Sequence, residues 1–170
     1  MRTMKFGAWV FGLLLAFAAV ADSTTPGKVI SGWVEKISFE KVDGVIKAKM
    51  DTGANTSSIY ADSVERFEKD DEEWVRFEVV LEDVDDEEHR VEMERPVARN
   101  VRIKNHDGNH DRRAVVELDF CFDGRRREAE FTLADRSEYI YPVLLGRNFI
   151  NGVAVIDVEH TFLTQARCEE

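Results

Sequence analysis

The sequence predicts an all-β domain, closed or sandwiched, with one or two short helices. Short runs in which apolar and polar residues alternate dominate the chain, and this two-residue period is typical of strands that bury one face. Asp43-Gly44 and Asp123-Gly124 each stand between two such runs, where an Asp-Gly pair favours a hairpin turn. The predicted strand runs are Trp33 to Phe39, Val45 to Met50, Trp74 to Leu81, Val97 to Ile103, Ala114 to Phe122, Arg127 to Leu133 and Val153 to Val158.

Helix is predicted in two short segments. Tyr60, Val64 and Phe67 have the spacing of one helix face, which predicts a short helix within residues 57–69. A second short turn of helix is predicted directly after Gly146, where an apolar strand run ends. The chain has no internal repeat at a solenoid period and no low-complexity tract, so a single β domain is expected.

The first residues have the pattern of a secretory signal peptide. Two basic residues precede an apolar run from Phe6 to Ala21, and this run ends in the small-residue pattern of a cleavage site. A membrane anchor is the alternative, but sixteen apolar residues are fewer than the roughly 20 that span a bilayer. We therefore expect removal of residues 1–21, a flexible leader over 22–30, and a periplasmic or secreted domain over 31–170 that does not associate with the membrane.

The charge of the chain argues against several classes of partner. After removal of residues 1–21 the chain has 21 Lys and Arg against 34 Asp and Glu, which gives a formal charge of −13. Nucleic acid and anionic membrane surfaces are not expected as partners, because both attract basic proteins. The acidic surface indicates solubility and by itself favours no basic substrate.

Two cysteines, Cys121 and Cys168, are available for a disulfide in a compartment outside the cytoplasm. Cys121 alternates with the apolar residues of its strand run, which places it on the polar face of that strand. An intrachain bridge is predicted there, and buried or free thiols are the alternative.

Asp51-Thr52-Gly53 directly follows the strand run that ends at Met50, so a carboxylate stands at the end of a rigid element. An aspartic peptidase needs two carboxylates that share one proton, so that one activates water while the other donates to the carbonyl oxygen. A threonine hydroxyl can donate and accept hydrogen bonds, and glycine lets a substrate backbone approach closely. We predict that Asp51 is catalytic and that Thr52 and Gly53 support it.

A second segment raises the specificity of this pattern. Residues 142–150 read Pro-Val-Leu-Leu-Gly-Arg-Asn-Phe-Ile, an apolar strand that ends at Gly146 and Arg147. Together with the Asp-Thr-Gly-Ala loop upstream, this chain resembles the retropepsins, whose viral members carry both motifs in the same order. The resemblance implies a retropepsin-like β fold, with Ala54, Asn55, Gly146 and Arg147 near the substrate.

Among retropepsin-like proteins the chain is most similar to a bacterial family long labelled ATP-dependent zinc proteases, which is related to peptidases encoded beside ATP-grasp glutamate ligases. The similarity covers residues 31 to 164 approximately, through six segments. These are Gly32-Trp33, Lys47 to Ala54, Arg95 to Val97, Phe131 to Arg136, Tyr141 to Arg147 and Val155 to Asp157. The link to glutamate ligation makes acidic peptides conceivable substrates, although the charge of −13 repels them at long range.

The chain also departs from the viral pattern. Viral retropepsins follow the alanine with two aspartates, one of which meets the arginine of the Gly-Arg-Asn turn, whereas Asn55 and Thr56 stand here. The partner of Arg147 is therefore open at this point. The candidate for the flap is the hairpin formed by Trp74 to Leu81 and Arg90 to Glu94.

The spacing of the histidines does not support the zinc site that the family label implies. The four histidines are His89, His106, His110 and His160, and none lies in the His-Glu-x-x-His pattern that places two zinc ligands on one helix face. There is no phosphate-binding Gly-x-x-x-x-Gly-Lys loop, and the acidic run Asp83 to Glu88 lacks the glycine of a calcium loop. We expect no metal and no cofactor.

The chain contains a single Asp-Thr-Gly, so a complete carboxylate pair requires a homodimer in which each subunit supplies Asp51. The leading hypothesis is an aspartic endopeptidase that hydrolyses peptide or protein substrates. The first alternative is a module of the same fold that binds extended peptides by strand addition without cleaving them. The second alternative is a zinc-dependent peptidase that uses the loop histidines.

Overall fold

The computed structural model describes residues 27–104 and 110–168, which form eleven strands and one short helix. The elements are β1 Val29–Gly32, β2 Val34–Ile37, β3 Ile46–Met50, β4 Ser57–Lys69, β5 Glu72–Glu82, β6 Glu88–Pro96, β7 Arg99–Lys104, β8 His110–Phe122, β9 Arg125–Ala134, β10 Val143–Leu145, α1 Arg147–Ile150 and β11 Ala154–Asp157. The prediction of an all-β domain is confirmed. No helix in this part of the chain is long and apolar enough to cross a membrane.

Nine of the described strands form one branched sheet. Its main path runs β2-β3-β10-β4-β9-β8-β7, and β5 and β6 extend from β4. β1 and β11 pair in parallel as a separate two-stranded sheet. The prediction of a closed domain is wrong, because within the described residues β2 and β8 meet only through a bridge between Ser38 and Cys121.

The helix predicted within residues 57–69 is also wrong, because this segment is strand β4. Its first half is buried at every second residue and pairs with β10 and β9, while its second half pairs with β5. The register shifts between Asp62 and Glu65, and Ser63 has a φ of 49°. Beyond such a bulge the side chains lie on the opposite side of the sheet from the one that strict alternation predicts. This shift gave the apolar side chains of β4 their helix-like spacing.

The predicted hairpins and the predicted turn of helix are confirmed. Asp123 and Gly124, with φ of 54° and 69°, join β8 to β9 in a two-residue turn. The segment with Asp43-Gly44 joins the antiparallel strands β2 and β3. α1 begins at Arg147, directly after Gly146. Asp107 and Gly108 lie outside the described residues, as does the predicted signal peptide.

The strands and α1 share one hydrophobic core, which fixes α1 in place. Phe149 of α1 packs with ring centroids 5.1 Å from Phe120 and 5.3 Å from Phe122, and Phe120 contacts Phe131 at 5.6 Å. These phenylalanines are all buried. Because the helix after Gly146 is anchored to β8 and β9 in this way, the residues at its start have a fixed position.

The carboxyl-terminal segment is held from two sides. Cys168 forms a disulfide with Cys121 of β8, as predicted, with 5.3 Å between the Cα atoms. Buried Glu35 on β2 accepts hydrogen bonds from the backbone N–H groups of Leu163 and Thr164 and from the Thr164 hydroxyl. The segment after β11 is therefore part of the folded domain.

Candidate active site

Asp51 lies at the carboxyl end of β3, where the buried strand gives way to an exposed loop. Its backbone N–H donates to the carbonyl oxygen of Leu145 at 2.8 Å, so β10 supports the chain at this point. Asp51 Oδ1 accepts a hydrogen bond of 2.8 Å from the Gly53 N–H, and Lys49 Nζ lies 3.3 Å from Asp51 Oδ2. The side chain is 23% exposed, so the carboxylate is held in position and remains accessible.

These contacts favour the ionised form of Asp51. Burial raises the pKa of the carboxyl group, but the Gly53 N–H and the Lys49 ammonium group outweigh burial and bring the pKa below its usual value. Within the single chain Asp51 is therefore a carboxylate at neutral pH. A carboxylate in this state can accept a proton from water.

The loop after Asp51 is held by residues that follow β10. Arg147 Nη1 donates to the carbonyl oxygen of Thr52 at 2.6 Å, and Nη2 donates to Asn55 Oδ1. The backbone N–H of Arg147 donates to the carbonyl oxygen of Ala54 at 2.9 Å. Asn55 thus provides the side-chain oxygen that an aspartate provides in the viral pattern, which settles the partner of Arg147.

Gly146 has no room for a side chain. A Cβ atom at this position lies 2.7 Å from the carbonyl oxygen of Asn55 and 2.7 Å from the carbonyl carbon of Thr56. The Gly146 N–H donates to the Ser57 hydroxyl at 3.1 Å, which ties the end of β10 to the start of β4. The glycine therefore allows the Asp51 loop to lie directly against the start of α1.

Arg99 holds the far end of the loop and was not predicted as a site residue. Its guanidinium group donates to both carboxylate oxygens of Glu130 at 2.6–3.0 Å and to the Thr56 hydroxyl at 2.8 Å. Arg99 belongs to β7 and Glu130 to β9, which are not adjacent strands. Sequence patterns carry no signal for such a contact, because the three residues come from separate parts of the chain.

Arg136 is a second residue that sequence reasoning did not assign to the site, although it lies in one of the segments quoted for the family resemblance. Its guanidinium carbon lies 4.6 Å from the centroid of the Tyr139 ring, and Nε donates to the carbonyl oxygen of Tyr141 at 3.1 Å. Burial lowers the pKa of Arg136, whereas Tyr139 and the nearby charge of Asp51 raise it. Asp51 therefore has two cations in its surroundings, Lys49 and Arg136.

The predicted hairpin of β5 and β6 forms, but its turn does not cover Asp51. Asp83 in this turn bridges to Ile46 at the start of β3, whereas Asp51 follows the end of that strand. Five residues of extended strand separate these levels by about 15 Å. Within this chain the turn of the hairpin thus lies away from Asp51, and its role as the flap stays a prediction.

The described residues contain two groups of side chains with metal-ligand atoms in mutual reach. They are Asp83 with Glu87 and His89, and Asp157 with Glu159 and His160. In the first group Asp83 already accepts hydrogen bonds from two backbone N–H groups and contacts His89 Nε2 at 2.9 Å. His106 lies outside the described residues, and so does the side chain of His110. Neither group includes Asp51.

Comparison with known proteins agrees with this geometry. A family model described as "Retropepsin-like aspartic endopeptidase RimB" matches residues 30–167. The chain belongs to the RimB-like family. The match covers all of the strands described above except the first residue of β1, so both the Asp51 loop and the Gly146-Arg147 segment lie within it.

Relatives of this RimB-like chain include longer proteins. A probable alpha-L-glutamate ligase of Desulfotalea psychrophila is 37% identical over 131 residues, which are 76% of this chain and 28% of the relative. A probable alpha-L-glutamate ligase of Shewanella pealeana is 32% identical over 118 residues, which are 69% of this chain and 25% of the relative. The chain thus spans about a quarter of the length of these relatives.

A solved structure of the same fold supports the architecture. A protein of unknown function (DUF785) from Legionella pneumophila superimposes with a TM-score of 0.67 at 28% sequence identity. The superposition covers 81% of this chain and 98% of that protein. The fold of this chain therefore extends over nearly the whole of that solved chain.

Proposed function

We propose that this chain is an aspartic endopeptidase whose active site forms between two identical subunits. The observation that carries the proposal is the geometry of the Asp51 carboxylate, which is held by the Gly53 N–H in a loop that β10 and α1 support. The Asp-Thr-Gly motif occurs once in the chain, so one chain supplies one such carboxylate. Thr52 and Gly53 at the tip of the loop are exposed, so a second copy can reach them. A two-fold axis beside this loop places one Asp51 opposite another.

The reaction needs no covalent intermediate with the protein. A water molecule between the two Asp51 carboxyl groups loses a proton to the ionised one, and its oxygen bonds to the carbonyl carbon of the peptide. The protonated carboxyl group donates to the carbonyl oxygen. The C–N bond of the resulting tetrahedral species then breaks, and the amine nitrogen takes up the proton.

The preferred substrate in this proposal is a peptide with acidic side chains. Lys49 and Arg136 place two positive charges near the Asp51 carboxylate, which activates the water molecule in this proposal. The relatives are named as probable alpha-L-glutamate ligases. Ligation of glutamate produces glutamyl peptides, which are substrates of the acidic class proposed here. The formal charge of −13 that remains after removal of residues 1–21 opposes the approach of an acidic peptide at long range, but salt screens that repulsion beyond about 10 Å.

The decisive experiment compares the wild-type protein with Asp51→Asn on a diverse peptide pool that includes glutamyl peptides. The amide has nearly the same shape but cannot take a proton from water, so cleavage should fall to background while the circular dichroism spectrum stays unchanged. Because two subunits share one site, mixing mutant with wild type should reduce activity by more than dilution does. Specific activity should also fall at low protein concentration, where dimers dissociate.

The same experiment separates the alternatives. A protein that stays monomeric and binds extended peptides without cleaving them is a binding module, and this outcome contradicts the proposal. Cleavage that persists in Asp51→Asn and is lost with a chelator assigns the activity to a metal site. Full activity of Asp51→Asn without chelator sensitivity also excludes the aspartic mechanism.

The place of action belongs to the proposal as well. The proposed signal peptide directs the chain to the periplasm or the outside, where the Cys121–Cys168 bridge can persist. The intact mass of protein isolated from its native compartment should correspond to a chain that starts near Asp22. A mass that includes residues 1–21 contradicts this assignment.

A further inference from the structure

Lys49 occupies a position that the aspartic mechanism itself does not require. It lies on β3 two residues before Asp51, so both side chains point to the same side of the strand. Lys49 Nζ lies 3.3 Å from Asp51 Oδ2. The residues opposite Lys49 on the neighbouring strands are Val34 on β2 and Leu144 on β10, which are both apolar. The ammonium group therefore finds its anionic partner in Asp51.

The other cations on this side of β3 have partners elsewhere. Lys47 Nζ lies 3.8 Å from Asp86 in the turn between β5 and β6, and Lys36 Nζ lies 4.9 Å from the centroid of the Phe162 ring. Arg136 acts on Asp51 through its charge, but its guanidinium group is engaged by Tyr139 and Tyr141. Lys49 is thus the cation in direct contact with the carboxylate, and its side chain is 42% exposed.

We infer that Lys49 binds the catalytic carboxylate of Asp51 in the free protein. When a substrate with an acidic group binds, the ammonium group of Lys49 moves from Asp51 to that acidic group. This inference rests on the proposed function. The half-exposed side chain has room for the move, because four rotatable bonds carry the ammonium group. An acidic group that enters beside the carboxylate offers the ammonium group a second partner at similar distance.

The move matters because the carboxylate pair must keep one shared proton to work. In the dimer two Lys49 ammonium groups offset the charge of two ionised Asp51 side chains, so the empty site holds that proton weakly. When an acidic substrate draws Lys49 away, the pair regains its affinity for the proton and takes it up from solvent. A neutral substrate leaves Lys49 on Asp51 and is therefore cleaved slowly.

The contact can be tested without any activity. The carboxyl carbon of Asp51 is titrated by NMR in the wild-type protein, in Lys49→Met and in Lys47→Met. Removal of the Lys49 charge destabilises the ionised form, so the pKa of Asp51 should rise relative to the wild-type protein. Lys47→Met is the matched control, since Lys47 lies on the same strand but pairs with Asp86. An unchanged Asp51 titration in Lys49→Met overturns the inference.

The functional part is tested with two peptides that differ only by Glu or Gln beside the scissile bond. We expect wild-type kcat/KM to favour the Glu peptide about tenfold, which corresponds to about 1.4 kcal/mol. Lys49→Met should remove most of this preference and move the pH profile with the Gln peptide to higher pH, while Lys49→Arg should retain the preference. Lys47→Met should behave as wild type.

The outcomes separate this inference from the proposed function. Hydrolysis by the wild-type protein, with the same preference and pH profile in Lys49→Met, overturns the inference alone. Absence of hydrolysis by the wild-type dimer overturns the proposed function and the role of Lys49 in it, whatever the titration gives. A preference that falls equally in Lys49→Met and Lys47→Met points to general charge attraction and also overturns the inference.

Discussion

The guanidinium group of Arg147 donates to the side-chain oxygen of Asn55, 92 residues away in the chain. With its other nitrogen Arg147 reaches the carbonyl oxygen of Thr52 at 2.6 Å. Both acceptors belong to the loop that follows Asp51. The position of the carboxylate thus depends on a contact between two segments that are far apart in the chain.

Arg147→Lys should weaken the loop, because an ammonium group lacks the planar fork that reaches two oxygens at once. We expect the free energy of unfolding to fall by about 1–2 kcal/mol and peptide cleavage to fall more strongly than stability explains. Urea unfolding and kcat/KM provide the measurements. Arg126→Lys is the control, since Arg126 pairs with Glu40 on an exposed surface and should change stability by less than about 0.5 kcal/mol.

The same pair is suited to a double-mutant cycle with Asn55→Ala. If Arg147 acts through Asn55, the two substitutions together should cost less than the sum of their separate effects, with a coupling of about 1 kcal/mol. Additive effects would mean that the contact between these two side chains contributes nothing to stability.

Gly146→Ala should disturb the site although alanine is a small residue. The added Cβ atom lies 2.7 Å from the carbonyl oxygen of Asn55, which is backbone and cannot turn aside. We expect a loss of about 1–3 kcal/mol in the free energy of unfolding, measured by urea titration. Gly27→Ala should be close to neutral, because nothing lies within 4 Å of a Cβ atom there. Equal effects of the two substitutions would contradict the steric explanation.

Glu35→Gln should release the carboxyl-terminal segment. The buried carboxylate accepts four hydrogen bonds, of which the Gly32 N–H makes one and the Leu163 N–H another. The amide nitrogen of glutamine cannot accept, so at least one donor loses its partner, at a cost of about 1–3 kcal/mol. Hydrogen exchange at Leu163 and Thr164 should accelerate. Glu40→Gln is the control at an exposed position, and similar exchange rates in both variants would refute this role for Glu35.

Loss of the Cys121–Cys168 bridge should destabilise the domain. The bridge joins residues 47 apart, and closing a loop of this length in the unfolded chain is worth about 4 kcal/mol in the chain-entropy model. The double variant Cys121→Ser with Cys168→Ser should therefore unfold at lower urea concentration. Thiol titration of the folded, non-reduced wild-type protein should find no free thiol, and two free thiols would disprove the bridge.

Much of the fold could be predicted from local patterns. Alternation of apolar and polar residues located β2, β3, β5, β7, β8, β9 and β11, because one buried face imposes a period of two on any strand. The Asp123-Gly124 turn was equally visible, since its two positive φ angles suit these residues. The position of Asp51 at the end of β3 followed from the same alternation. Such features depend on neighbours in the chain, so the sequence carries them directly.

The tertiary structure decided what the patterns could not. The bulge in β4 gave Tyr60, Val64 and Phe67 a helical spacing, and only pairing with β5 made the segment a strand. The single bridge between Ser38 and Cys121 left the sheet open. The partners of Arg147 and Glu35 lie up to 129 residues away in the chain, and the charge of Asp51 acts on Arg136, which lies 85 residues further along the chain. The sequence by itself thus determined most of the strands and the place of Asp51 at the end of β3, whereas the surroundings of Asp51 arise from contacts between distant segments, which no local period encodes.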